Sequence, residues 1–274
     1  NENSLLEFWV RGLLTRGRPD PVGGHWYDIP PYYVAELDHL WNGWLARRYA
    51  DREALGEAWG GDLRDYEDAA RGSVRRLHSD EFATADARRF RDEARFYAEI
   101  ERGFFLDMRD YLRGELGAKQ LILGTSDHYQ RWSALPMLQA NAVLDVMDGH
   151  FYWQHPQRPA RRRPGHDEWT IVNTPMVDQP DASVAAAVSR SRIKGLPYIL
   201  SEVNEPFPND HAAEFLPILA AYALLQDWDG IIFYDYDGTW TSSYWQNEEW
   251  RDASIATFFE LSRDPVKWTQ MASV

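Results

Sequence analysis

The chain has 274 residues, 44% of them hydrophobic and 26% charged, a soluble globular make-up with no apolar run long enough to cross a bilayer. Its net charge of −14 argues against a nucleic-acid or anionic-membrane partner, because phosphate binding needs a basic face. The absence of cysteine excludes disulfides and thiolate metal sites, while 13 tryptophans and 14 tyrosines offer either core filling or platforms for pyranose rings.

In chain order, Asn1-Glu2-Asn3-Ser4 leads into LLEFWVRGLL, an apolar run that reads as helix. A Gly/Pro-rich loop follows from Thr15 to Pro31. Leu37, Leu40, Trp41, Trp44 and Leu45 recur at i, i+3, i+4, i+7 and i+8, one face of an amphipathic helix. Asp51 is placed to cap the short helix REALGEAW, with Gly60-Gly61 closing it. Residues 61–90 are charged and without a period, which predicts surface loop and short helix. A long helix is then expected to turn Tyr97, Ile100, Phe104, Met108 and Tyr111 inward and to stop at Gly117.

The second half alternates strand and helix. Gln120–Thr125 reads as a strand ending in Ser126-Asp127-His128-Tyr129, and Leu144–Asp148 as another ending in Gly149-His150-Phe151-Tyr152-Trp153. Asp181 caps an alanine-rich helix over 182–194. The strand Tyr198-Ile199-Leu200 then ends in Ser201-Glu202. Asn209-Asp210 caps the helix HAAEFLPILAAYALLQ, in which Pro217 is expected to introduce a kink. Gly230–Asp235 reads as a fourth strand, and a closing helix is expected from about Asp252 to Leu261. Strands separated by helices argue for a parallel α/β sheet with right-handed crossovers. Polar and aromatic residues gather at every strand's carboxyl end, which favours a closed barrel over an open doubly wound sheet. No Gly-rich phosphate fingerprint follows any strand, which disfavours nucleotide binding.

Against that background the chain resembles the carboxyl-terminal half of a clan A glycoside hydrolase, of the cellulase-like family five and β-galactosidase-like family forty-two type. Asn1-Glu2 matches the Asn-Glu pair ending the fourth strand of such enzymes, His150-Phe151-Tyr152 the His-x-Tyr ending the sixth, and Ser201-Glu202 the end of the seventh. The segment LWNGWLARRYADREALGEAWG resembles the Trp-rich insertion after the fourth strand. The tryptophan that family five places at the end of the eighth strand has Tyr234 or Tyr236 in its neighbourhood here. The resemblance implies a (β/α)8 TIM barrel of which this chain supplies roughly strands five to eight plus the tip of strand four. Residues 1–274 would then be one catalytic domain, incomplete on its amino-terminal side, with a helical insertion over 15–90. The missing half would come from the same polypeptide or a partner chain.

The implied activity is retaining hydrolysis of a β-linked oligo- or polysaccharide, without metal or cofactor. Such chemistry needs two carboxyls about 5–5.5 Å apart, one to attack the anomeric carbon and one to protonate the leaving group. The resemblance makes Glu202 the nucleophile and Glu2 the acid/base, with Asn1 on the sugar 2-hydroxyl and His150 and Tyr152 helping to hold Glu202. His128, Trp153 and Tyr234 complete the expected substrate-binding set, with Trp132 a further platform. Glu205, in Asn204-Glu205-Pro206, spells an acid/base motif but follows the wrong strand. The spacing of His128, His150 and His155 matches no common zinc pattern. Arg158, Arg161, Arg162 and Arg163 read as a solvated loop, with an acidic-saccharide clamp as the rarer alternative. A non-catalytic carbohydrate-binding barrel and a structural half-barrel are the competing functions.

Overall fold

The computed structural model describes residues 2–15, 29–127, 134–157, 169–236 and 258–273. They form a mixed α/β fold that divides into two compact units, one within 1–120 and 131–144, the other within 121–130 and 145–274.

The first unit is helical: α1 (Leu5–Val10), α2 (Pro31–Arg48), α3 (Arg52–Ala58), α4 (Ala87–Asp110) and α5 (Ala134–Asn141). Helix α3 is capped by Asp51, whose carboxylate accepts from the Ala54 N–H at 2.9 Å. Asp86 does the same for α4, accepting from Arg88 at 2.7 Å. Helix α4 runs on into a π turn over Tyr111–Glu115 before Gly117, at φ +65°, reverses the chain. Its buried face consists of Arg89, Asp92, Glu93, Phe96, Tyr97, Glu101 and Phe105. Phe104, Met108 and Tyr111, expected inward, are exposed. Four of the seven inward positions are charged, so counting apolar residues alone rotates the inferred face. On α2 the same effect exposes Leu40 and buries Asn42, whose amide donates to the Val74 carbonyl and accepts from the Val74 N–H, each at 2.9 Å. Tryptophan fills this core: Trp41 stacks between Trp44 at 5.5 Å and Trp59 at 6.2 Å and meets Phe96 at 5.2 Å.

The charged stretch 61–90 is not simply surface, because Glu67, Arg76 and Arg89 are buried within it. Arg89 and Glu67 are both fully buried and pair at 2.8 Å. Arg89 also donates to the carbonyls of Asp62 at 2.7 Å and Arg75 at 3.0 Å, and lies over the Trp59 ring at 4.8 Å. Both terminal nitrogens of Arg89 are hydrogen-bonded, and the cost of burying the pair is offset only while both partners stay. Arg89→Met leaves Glu67 as a buried, partly unanswered charge. Urea unfolding is expected to show a loss of about 3–5 kcal/mol.

The second unit holds β1 (Met147–Tyr152), α6 (Val184–Ser189), β2 (Tyr198–Asn204), α7 (Phe215–Leu225), β3 (Gly230–Phe233) and α8 (Pro265–Met271). The strands form one parallel sheet in the order β1-β2-β3, with α6 and α7 in the crossovers. The expected strand over 120–125 reduces to single parallel bridges, Leu123 to Val146 and Asp127 to Gly149. Side-chain bonding replaces part of its ladder, since the Ile122 N–H is taken by the Asp145 carboxylate at 2.8 Å. The strand expected over 144–148 lies at 147–152, which brings His150 and Tyr152 into the sheet itself.

Helix α6 is shorter than expected. A 3-10 turn over Pro180–Ala182 stands where Asp181 was expected to cap it. At its other end Arg190 and Ser191 turn to the buried Asp127, at 3.0 and 2.5 Å. Pro217 is the third residue of α7, in the first turn, where a missing N–H costs nothing. Before it, the side chain expected to cap the helix, Asn209, accepts from the His211 N–H at 2.8 Å, ahead of a 3-10 turn over Ala212–Glu214 that has no side-chain cap. The closing helix expected over 252–261 falls partly outside the described residues, and 258–261 are not helical. The described closing helix is α8, capped by Asp264 on the N–H groups of Val266 and Lys267 at 3.0 and 3.1 Å. Among the described residues no helix is long and apolar enough to cross a membrane.

Candidate active site

The site grows out of an irregularity in β2. Against β1 the register runs Gly149 to Leu200 and then His150 to Glu202, so Ser201 is an extra residue on β2. Such a bulge re-aims the side chains that follow it. Its unpaired N–H is not orphaned, because Ser201 donates it to Asp148 Oδ1 at 3.0 Å. Gly149 is required opposite, since a Cβ there would collide with the Tyr198 hydroxyl and crowd Leu200.

A continuous polar chain follows. Ser201 Oγ donates to Asp148 Oδ2 at 2.6 Å, and His150 Nε2 lies 2.9 Å from the same Oγ. The hydroxyl has one proton and gives it to a carboxylate, so His150 Nε2 is the donor to Ser201. That leaves His150 Nδ1 facing Glu202 Oε2 at 3.3 Å. The other carboxylate oxygen, Oε1, accepts from the Tyr152 hydroxyl. Asp148 and His150 are buried, whereas the Glu202 side chain keeps 28% of its exposure and can meet a ligand.

Aromatic rings wall this carboxylate. Tyr152 packs on Phe259 at 4.8 Å and His155 at 4.6 Å, and Tyr234 stands edge-on to Tyr152 at 6.3 Å. Burial, with the negative charges of Asp235 and Glu202 adding to it, holds the Tyr234 phenol above its ordinary value, so it stays a neutral hydrogen-bonding group.

The structure thus brings together Glu202, His150, Tyr152 and Tyr234, all in the second unit. Trp153, expected as a sugar platform, is instead buried, its indole N–H on the Thr174 carbonyl at 2.8 Å; its face is spent on packing. Asn1, His128, Trp132, Arg158, Arg161, Arg162 and Arg163 lie outside the described residues. Glu2 belongs to the first unit, exposed, just before α1. Its backbone is tethered there: Ser4 caps α1, and both the Ser4 hydroxyl and the Leu5 N–H donate to Glu101, at 2.7 and 2.8 Å. Sequence reasoning missed Asp148 as the group behind Ser201. Its signal was an acidic residue inside a strand otherwise buried along its length.

Glu205 is buried beyond the end of β2, and burial pushes its carboxyl up to about 7, with Glu214 and Asp264 adding to the shift and Lys267 opposing it. A raised native value means that its contribution to stability is complete below the ordinary 4.5 and lost as pH climbs through about 7. Glu205→Gln should therefore match the parent protein at pH near 5 and exceed it in thermal midpoint at pH near 8. Equal midpoints at both would show that the carboxyl is not buried as charge.

No family model and no curated protein matches the chain. Among solved structures it is similar to an agarase (TM-score 0.46, 16% identity, covering 75% of this chain and 28% of that one). It is also similar to an exo-beta-agarase (0.45, 16%, 72% and 24%) and to PfGH50B (0.47, 13%, 80% and 29%). The chain spans less than a third of the length of each of these proteins. At TM-scores below 0.5 these likenesses assign no activity to it.

Proposed function

We propose that this chain is a glycoside hydrolase that cleaves a β-linked saccharide with retention of configuration, Glu202 acting as nucleophile and Glu2 as acid/base. The observation that carries the reading is the chain Asp148–Ser201–His150–Glu202–Tyr152, which crosses between the adjacent parallel strands β1 and β2 and reaches the carboxyl end of β1 at Tyr152. Parallel α/β enzymes gather catalytic groups at that end. A carboxylate addressed on both oxygens, yet open to solvent, is oriented for attack on an anomeric carbon.

In the first step a Glu202 oxygen bonds to the anomeric carbon, the glycosidic C–O bond breaks, and the Glu2 proton passes to the leaving oxygen. In the second, water attacks the glycosyl ester, Glu2 takes its proton, and Glu202 leaves as carboxylate. Asn1 is assigned to the sugar 2-hydroxyl, and Tyr234 and His150 to the glycone. Among the described residues β3 pairs on one side only, with β2, and its Ile232 is exposed, which supports a larger (β/α)8 barrel in which further strands continue the sheet. Early-time proton NMR of a β-linked glycan digest tests the proposal. Retention gives the β-anomer first; the α-anomer first would contradict it.

A further inference from the structure

Two residues beyond Glu202, the Asn204 side chain is buried with its full hydrogen-bonding capacity in use. Its Nδ2 donates to the carbonyls of Tyr234 and Phe259, both at 2.6 Å. Its Oδ1 accepts from the Glu205 N–H at 2.7 Å and from Lys267 Nζ at 2.9 Å. An amide is nearly symmetric in shape, so its partners alone decide which way it faces. An ammonium only donates, so Lys267 admits the one orientation that sends Nδ2 to the two carbonyls. Lys267 is 1% exposed, lies 3.6 Å from Asp264 and donates also to the Glu205 carbonyl. Burying an ammonium is costly, and an apolar side chain would serve folding as well, so packing alone does not call for lysine here.

The two carbonyls belong to the residues that wall Glu202. The Phe259 ring packs on Tyr152, which holds Glu202 Oε1, and Tyr234 stands beside both rings, 6.1 Å from Phe259. We propose that Lys267 is a positioning residue: by orienting Asn204 it fixes Phe259 and Tyr234 against Tyr152, and so keeps the Tyr152 hydroxyl on Glu202. The assignment rests on Glu202 being the nucleophile.

Lys267→Met removes the ammonium and keeps the length of the side chain. Its kcat is expected to fall about 10–100-fold, with KM within about twofold, as for a small misplacement of a reacting group. The acid limb of its pH–kcat profile should move up by about half a unit or more, because a carboxylate that loses a donor holds its proton more tightly. A merely structural lysine would not move that limb. Asn204→Asp, which keeps the lysine pair and loses both donations to carbonyls, should give the same two changes and decides the matter if the first variant does not fold. Parental kcat with an unmoved acid limb in a folded variant overturns the assignment. Failure of the underlying reading has a different signature: Glu202→Gln would then keep its turnover.

Discussion

Glu202→Gln is expected to lose turnover by roughly ten-thousand-fold or more while binding saccharide about as tightly as the parent protein. The amide is isosteric with the carboxylate, so the cleft keeps its shape. Its oxygen still accepts one donor, and the bonds of Ser201 to Asp148 and His150 end on neither Glu202 oxygen, so they are kept. What disappears is the capacity to form a glycosyl ester. Initial rates and calorimetric titration on one glycan separate the two effects. Unchanged turnover would remove Glu202 from the mechanism. Lost turnover together with lost affinity would make it a binding group only.

Glu2→Ala is expected to lower turnover of a natural glycan about 10²–10⁴-fold, the usual contribution of a general acid. The loss should shrink on aryl glycosides whose leaving group needs no proton. Added azide should restore turnover and give a β-glycosyl azide, because azide attacks the ester without a general base. Equal losses on both substrates, with no azide rescue, would mean that Glu2 holds structure and moves no proton. The tether of Ser4 and Leu5 to Glu101 lies in the backbone and the Ser4 side chain, so removing the Glu2 carboxyl leaves α1 anchored.

Some of this was legible in the sequence and some could not be. The strand carrying Glu202 announces itself as Tyr198-Ile199-Leu200 after Gly195 and Pro197, and alternating strands and helices gave the parallel α/β sheet. The extent of β1 was misjudged because Asp148, Gly149 and His150 look like a strand's end, whereas their polar groups are satisfied inside the sheet by Ser201 and by the Asp127 segment. The Ser201 bulge is a matter of register between two strands, which no local pattern reveals. Charged residues deceived most. Arg89 and Glu67 read as surface until each is seen to bury with the other, 22 residues away. Trp153 shows the converse, an aromatic side chain next to the site that serves the core.

The central claim is that Glu202 becomes covalently bonded to sugar, and mass spectrometry of the trapped protein tests it most directly. The protein is incubated with an activated fluoroglycoside of the sugar it cleaves and then digested. The predicted result is one fluoroglycosyl ester, on the peptide carrying Glu202 and at that residue. An ester on another carboxyl, Glu205 included, or inactivation with no labelled peptide, would contradict it.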